Sequence, residues 1–155
     1  MTVVEVVTEV RAPATRCFDL ARDIDLHLKS MGETGERAVA GKTSGPIGLG
    51  EEVTWEAKHL GIRQRFASRI TDFSPPRHFR DEMVRGAFKS FVHDHYFEEH
   101  DGVTTVRDVL HFSSPFGVVG RLVDRVFLAR YLRRLLCSRS EAVKRTAEQN
   151  DGAVS

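Results

Sequence analysis

Cysteine is scarce in this chain: two in 155 residues, Cys17 and Cys137, too few for a disulfide framework and without the spacing of a paired metal motif. No run of about 18 apolar residues occurs, so no segment reads as a bilayer-spanning helix. An excess of one charge is also missing. Lys and Arg number 23 against 22 Asp and Glu, which leaves no overall field to attract nucleic acid, and no nucleic-acid partner is expected. The start, Met1-Thr2-Val3-Val4-Glu5, lacks the basic residues and apolar stretch of a signal peptide, so the expected compartment is the cytoplasm. Internal repeats and low-complexity segments are absent. Residues 1–150 are expected to form one domain, with residues 151–155 a disordered tail. What the chain does have is phenylalanine, ten residues against one Trp and two Tyr.

Most of those Phe fall on extended segments. Residues 2–11 are Val-rich and read as a first strand. Pro13 and Asp23 open two short helices carrying Cys17, Phe18 and Leu20, then Ile24, Leu26 and Leu28. Residues 33–40 are extended. A connection over residues 41–50 follows, with Gly41, Gly45, Gly48 and Gly50 but no apolar period, and it is the expected mobile entry to any cavity, facing residues 118–126. Five strands then alternate with turn signals at Leu60-Gly61, Ser74-Pro75-Pro76-Arg77, Arg85-Gly86 and Asp101-Gly102. Arg63, Arg65 and Arg69 read as a solvated outer face. Residues 118–149 form one long helical pattern, with Val119, Leu122, Val123 and Val126 on one stripe and Ala129, Leu132, Leu136 and Val143 on a rotated one.

The order is strand, two short helices, six strands and one long C-terminal helix. Sequential antiparallel hairpins make a curved sheet whose concave face the helix covers. A helix cannot fill such a hollow, so the α+β class carries with it the expectation of a cavity. The stretch Phe91-Val92-His93-Asp94-His95-Tyr96-Phe97 points the same way. Alternation sends Phe91, His93, His95 and Phe97 to one face. A plain core would use Val, Ile and Leu, because each buried imidazole needs hydrogen-bond partners. Neighbouring segments offer Phe79, Asp81 and Met83, and Thr104, Val106, Asp108, Leu110 and Phe112. Aromatic walls with a few convergent polar groups describe a small-molecule pocket.

Two further readings of the same polar residues carry chemistry. His93 and His95 with Asp81 or Asp108 have the composition of a two-His-one-carboxylate metal site. A hydrogen-bonded network of the four is favoured instead, and no metal or cofactor is expected. A His–Asp pair in a dry pocket is also suited to acid–base work on a carbonyl compound.

The motifs Arg11-Ala12-Pro13-Ala14, Gly50-Glu51-Glu52-Val53-Thr54-Trp55, Pro75-Pro76-Arg77-His78-Phe79-Arg80-Asp81, Gly86-Ala87-Phe88, His93-Asp94-His95-Tyr96-Phe97, Asp108-Val109-Leu110-His111-Phe112 and Pro115-Phe116-Gly117 follow one another along nearly the whole chain. In their order and spacing the chain resembles the helix-grip superfamily: START lipid-transfer domains, Bet v 1-like proteins and the polyketide cyclase/dehydrase proteins, above all bacterial single-domain members. The resemblance implies a seven-stranded curved antiparallel sheet gripping the C-terminal helix, with a hydrophobic pocket between them; it leaves the activity open. The expected function is binding of a hydrophobic small molecule: a lipid, a polyketide or another ring-containing metabolite. Trp55, Phe66, Phe79, Met83, Phe91, Phe97, Leu110, Phe112, Leu122 and Val126 would form the wall, while Asp81, His93, His95 and Asp108 orient the ligand's polar end. The alternatives are a cyclase/dehydratase-like enzyme using His93 or His95 with Asp81 or Asp108, and an interaction module docking through the helix. A membrane contact through Phe127, Leu128 and Tyr131 with Arg130, Arg133, Arg134 and Arg139 is disfavoured against a homodimer interface or simple burial.

Overall fold

A computed structural model describes residues 1–151, so the expected tail lies mostly outside the described residues. β1 (Thr2–Val10) leads into α1 (Ala14–Ala21) and α2 (Ile24–Ser30). Then come β2 (Arg37–Gly41), β3 (Glu52–His59), β4 (Ile62–Ser74), β5 (His78–Arg85), β6 (Ser90–His100) and β7 (Val103–Ser113). The chain continues through α3 (Gly117–Val123), a π-helical segment (Asp124–Leu128) and α4 (Ala129–Asp151). The strands form one seven-stranded antiparallel sheet in the order β1-β7-β6-β5-β4-β3-β2.

Local chemistry sets these boundaries. Asp23 caps α2, its Oδ1 accepting from the backbone N–H groups of Asp25 at 2.8 Å and Leu26 at 3.2 Å. Leu60-Gly61 and Asp101-Gly102 both hold positive φ at both positions, the two-residue turn that matches strand twist. Register follows the alternation. In β6, His93 lies between Asp81 of β5 and Leu110 of β7, and His95 lies between Phe79 and Asp108.

Two apolar clusters close the ends of the hollow. Phe18 of α1 is 1% exposed and meets Phe73, Phe79 and Phe97 at ring distances of 5.4, 5.3 and 5.5 Å, with Val143 and Ala147 of α4 in the same cluster. Val4, Val6, Leu110, Phe112 and Leu136 make the second cluster. On the outer face Arg63, Arg65 and Arg37 converge on Glu56, so that part of the arginine face is an ion-pair network over a buried carboxylate.

Two expectations need correction. Residues 41–50, expected as a loose connection, are tied down. Gly45 O accepts from Ile24 N–H, Ile47 N–H donates to Arg22 O, and Asp25 Oδ2 accepts from both Ser44 and Gly45, which fastens the connection to α2. Leu122 and Val126, expected in the wall, are 65% and 61% exposed. Their stripe is turned outward because the opposite face of the helix is held down at Asp124, a buried carboxylate that accepts the Ser114 N–H at 2.8 Å and the Ser114 hydroxyl.

Candidate ligand cavity and its polar network

A cavity of about 220 Å³ opens between the concave sheet and the helix. By the measure on which one water needs about 10–15 Å³, this is room for a small organic molecule. Alternation along β3 presents Val53, Trp55, Ala57 and His59, and β4 adds Gln64, Phe66, Ser68 and Ile70. Phe79, Asp81, Phe91, His93 and Leu110 come from β5, β6 and β7. The helical wall is Leu128, Tyr131, Leu132, Leu135, Leu136 and Arg139 rather than the expected Leu122 and Val126. Phe97 and Phe112 point inward but belong to the two solid clusters, because Phe18 of α1 packs on Phe97, and Leu136 and Phe88 pack with Phe112. Met83 lies beside the cavity without lining it.

The four polar residues singled out in sequence meet in one network. Asp108 Oδ1 accepts from His93 Nε2 at 3.1 Å and lies 2.9 Å from His95 Nδ1 as an ion-pair contact, while its Oδ2 accepts from Ser140 of α4 at 3.0 Å. His95 Nε2 donates to Asp81 Oδ2 at 2.7 Å. The His95 ring stacks on Phe79 at 4.1 Å and lies 3.8 Å from His93. With a carboxylate at each nitrogen, His95 carries both protons. Burial opposes that charge, but the hydrogen bonds to Asp108 and Asp81 outweigh it and raise its pKa. His93 goes the other way, lowered by burial and by the neighbouring His95 charge. Burial likewise works against the Asp81 carboxylate, yet the His95 hydrogen bond and both imidazoles hold its pKa down at about 2. Asp108 is held well below the usual carboxylate range by the same two partners.

A neutral His93 that gives its Nε2–H to Asp108 keeps a lone pair on Nδ1, and of the pair only His93 lines the cavity. Asp81, His93 and His95 each offer one donor atom within 4.8 Å of the others, the distance range from which a metal ion could be gathered. A cation there would have to replace the proton that His95 shares with Asp81.

Several cavity residues escaped sequence reasoning. The His27 ring lies tilted against Trp55 at 4.3 Å and gives its Nε2–H to Glu36, while its buried Nδ1 has no hydrogen-bond partner among the described residues. Burial, then the Arg139 charge, lowers the His27 pKa. His59 Nδ1 and the Tyr131 hydroxyl meet at 2.6 Å, linking the end of β3 to α4. Only an apolar i, i+4 neighbourhood on the helix around Tyr131 could have signalled that link.

Over residues 1–148 the sequence matches the family described as "Polyketide cyclase / dehydrase and lipid transport". The chain belongs to that family. No curated protein matches it in sequence. Among solved structures it is similar to TTHA0849 from Thermus thermophilus, at 19% identity and a TM-score of 0.71 over 92% of this chain and 97% of that one. It is also similar to a START superfamily protein from Mycobacterium smegmatis (16% identity, TM-score 0.69, covering 95% and 97%). Major latex-like protein 151 from Panax ginseng shares 14% identity at a TM-score of 0.69, covering 94% and 97%. These likenesses establish the helix-grip fold of the family and leave its chemistry to the cavity.

Proposed function

We propose that this family member binds an apolar, ring-containing small molecule in the cavity, with a hydrogen-bond-donating group of the ligand set against His93 Nδ1. The observation that carries the reading is the composition of the wall. Trp55, Phe66, Phe79, Phe91 and Leu110 face Leu128, Leu132 and Leu135 across the hollow, and His93 and Asp81 are the members of the polar network that line it. His95 and Asp108 then act from behind, Asp108 fixing the tautomer and orientation of His93, while Asp81 reaches the cavity beside it. Native mass spectrometry of freshly purified protein, followed by identification of the released compound, tests the reading. Ala57→Phe, which fills the hollow, should abolish retention, and His93→Gln should weaken it by about 1–2 kcal/mol. Retention unchanged by Ala57→Phe would place the ligand elsewhere.

A second reading is favoured by one contact, the His93–Asp108 pair at the cavity wall. A neutral imidazole backed by a carboxylate can take a proton beside a carbonyl, the step a cyclase or dehydratase requires. In that case His93→Gln lowers turnover by ~10²-fold or more while binding survives.

A further inference from the structure

Exposed large apolar side chains are densest in one segment. Phe116, Val118, Val119, Leu122, Val123 and Val126 are each 44–76% exposed, all within eleven consecutive residues. At about 3.6 residues per turn, the last five share one face of the helix, and Gly120 and Asp124 lie on the opposite one. That opposite face is anchored. Asp124 is 1% exposed and bound twice by Ser114, and a Cβ on Gly120 would stand 3.3 Å from the Ser114 Cβ. The apolar stripe is therefore presented outward by a fixed helix and does not result from fraying. A patch of this kind on a chain of balanced charge calls for a partner.

Charge identifies the partner. Residues 115–135 contain Arg121, Arg125, Arg130, Arg133 and Arg134, and their one acidic residue, Asp124, is buried. Arg121, Arg125 and Arg130 are exposed around the stripe. A second copy docked across a two-fold axis would set these arginines against themselves, with no exposed carboxylate in the segment to receive them. An anionic bilayer surface satisfies both features, taking the apolar stripe at the acyl boundary and the guanidinium groups among its phosphates. We propose that α3 and the π-helical segment lie in the surface of an anionic lipid membrane. The same helix supplies Leu128, Tyr131 and Leu132 to the cavity wall, so docking brings the cavity to the headgroup layer. This goes beyond ligand binding and does not depend on it.

Co-sedimentation with vesicles of equimolar phosphatidylcholine and phosphatidylglycerol tests the proposal, with pure phosphatidylcholine vesicles and sedimentation velocity alongside. The native chain should bind the mixed vesicles, bind the neutral ones at least ~10-fold more weakly, and release in high salt. Leu122→Asp with Val126→Asp should abolish vesicle binding and leave the thermal melt and cavity occupancy unchanged, both positions being exposed. Arg121→Gln with Arg125→Gln should erase the preference for phosphatidylglycerol. No vesicle binding by the native chain, or binding indifferent to Leu122→Asp/Val126→Asp, overturns the proposal. A concentration-dependent dimer dissolved by that pair, without vesicle binding, overturns it in favour of a second copy of this chain.

Discussion

Strand β6 buries ionisable side chains on both faces, and the two sets differ in what surrounds them. Inside, His93 and His95 meet Asp81 and Asp108, and the imidazoles are 2–3% exposed. Outside, Asp94 accepts from His78 Nε2 at 2.6 Å and Arg80 Nε at 2.8 Å, but the Arg80 side chain is 40% exposed. The outer cluster can lose a member and let water take its place. The inner one sits under Phe79 and against α4, where a lost partner leaves buried polar groups uncompensated. Similar hydrogen bonds thus carry unequal consequences.

Removing the hub of each cluster breaks or sharpens that contrast. Asp108→Ala leaves His93 Nε2, His95 Nδ1 and the Ser140 hydroxyl without their shared carboxylate in the interior, with Asp81 the remaining partner of His95, and should cost about 3–5 kcal/mol in urea unfolding. Asp94→Ala removes the outer hub, where His78 and Arg80 turn to water, and should cost about 1–2 kcal/mol. Equal losses would show that the inner cluster has water access the geometry denies it.

Acid separates the two faces next. The folded-state pKa of Asp81 lies near 2, below its unfolded value, so its contribution is complete above the ordinary carboxylate range and lost as pH falls through about 2. Asp108 shifts in the same direction. Raised His95 has the opposite sign: its contribution is complete below the ordinary imidazole range and fades as pH rises through its folded value. Native stability should therefore fall steeply on acidification, and His95→Gln should flatten both limbs. An unchanged pH profile in His95→Gln would remove His95 from the centre of the network. The smallest effect belongs to His93→Gln, which keeps a donor toward Asp108 and should change stability by less than about 1 kcal/mol while altering ligand retention.

The strand faces were legible in the sequence because side-chain direction on a strand is a local property with period two. Phe91, His93, His95 and Phe97 turn inward together, and the Asp81–His93 and His95–Asp108 neighbours follow from hairpin register set by turns such as Asp101-Gly102. Tyr131, Arg139, His27 and Glu36 were not legible. They reach the cavity from elements whose rotation and docking depend on distant contacts such as Ser140 with Asp108 and Ile24 with Gly45.

By itself the sequence determined the order of elements, the inward face of each strand and the composition of the polar network, all governed by backbone periodicity and turn chemistry. The tertiary structure decided which inward aromatics line a void and which are packed solid. Phe91 borders space while Phe97 lies under Phe18, because what stands opposite a residue is set by another part of the chain. It also decided the facing of the long helix. Ser114, joined to Asp124, turns Leu122 and Val126 toward solvent, and the apolar period of a helix records that it has a face without recording where that face points.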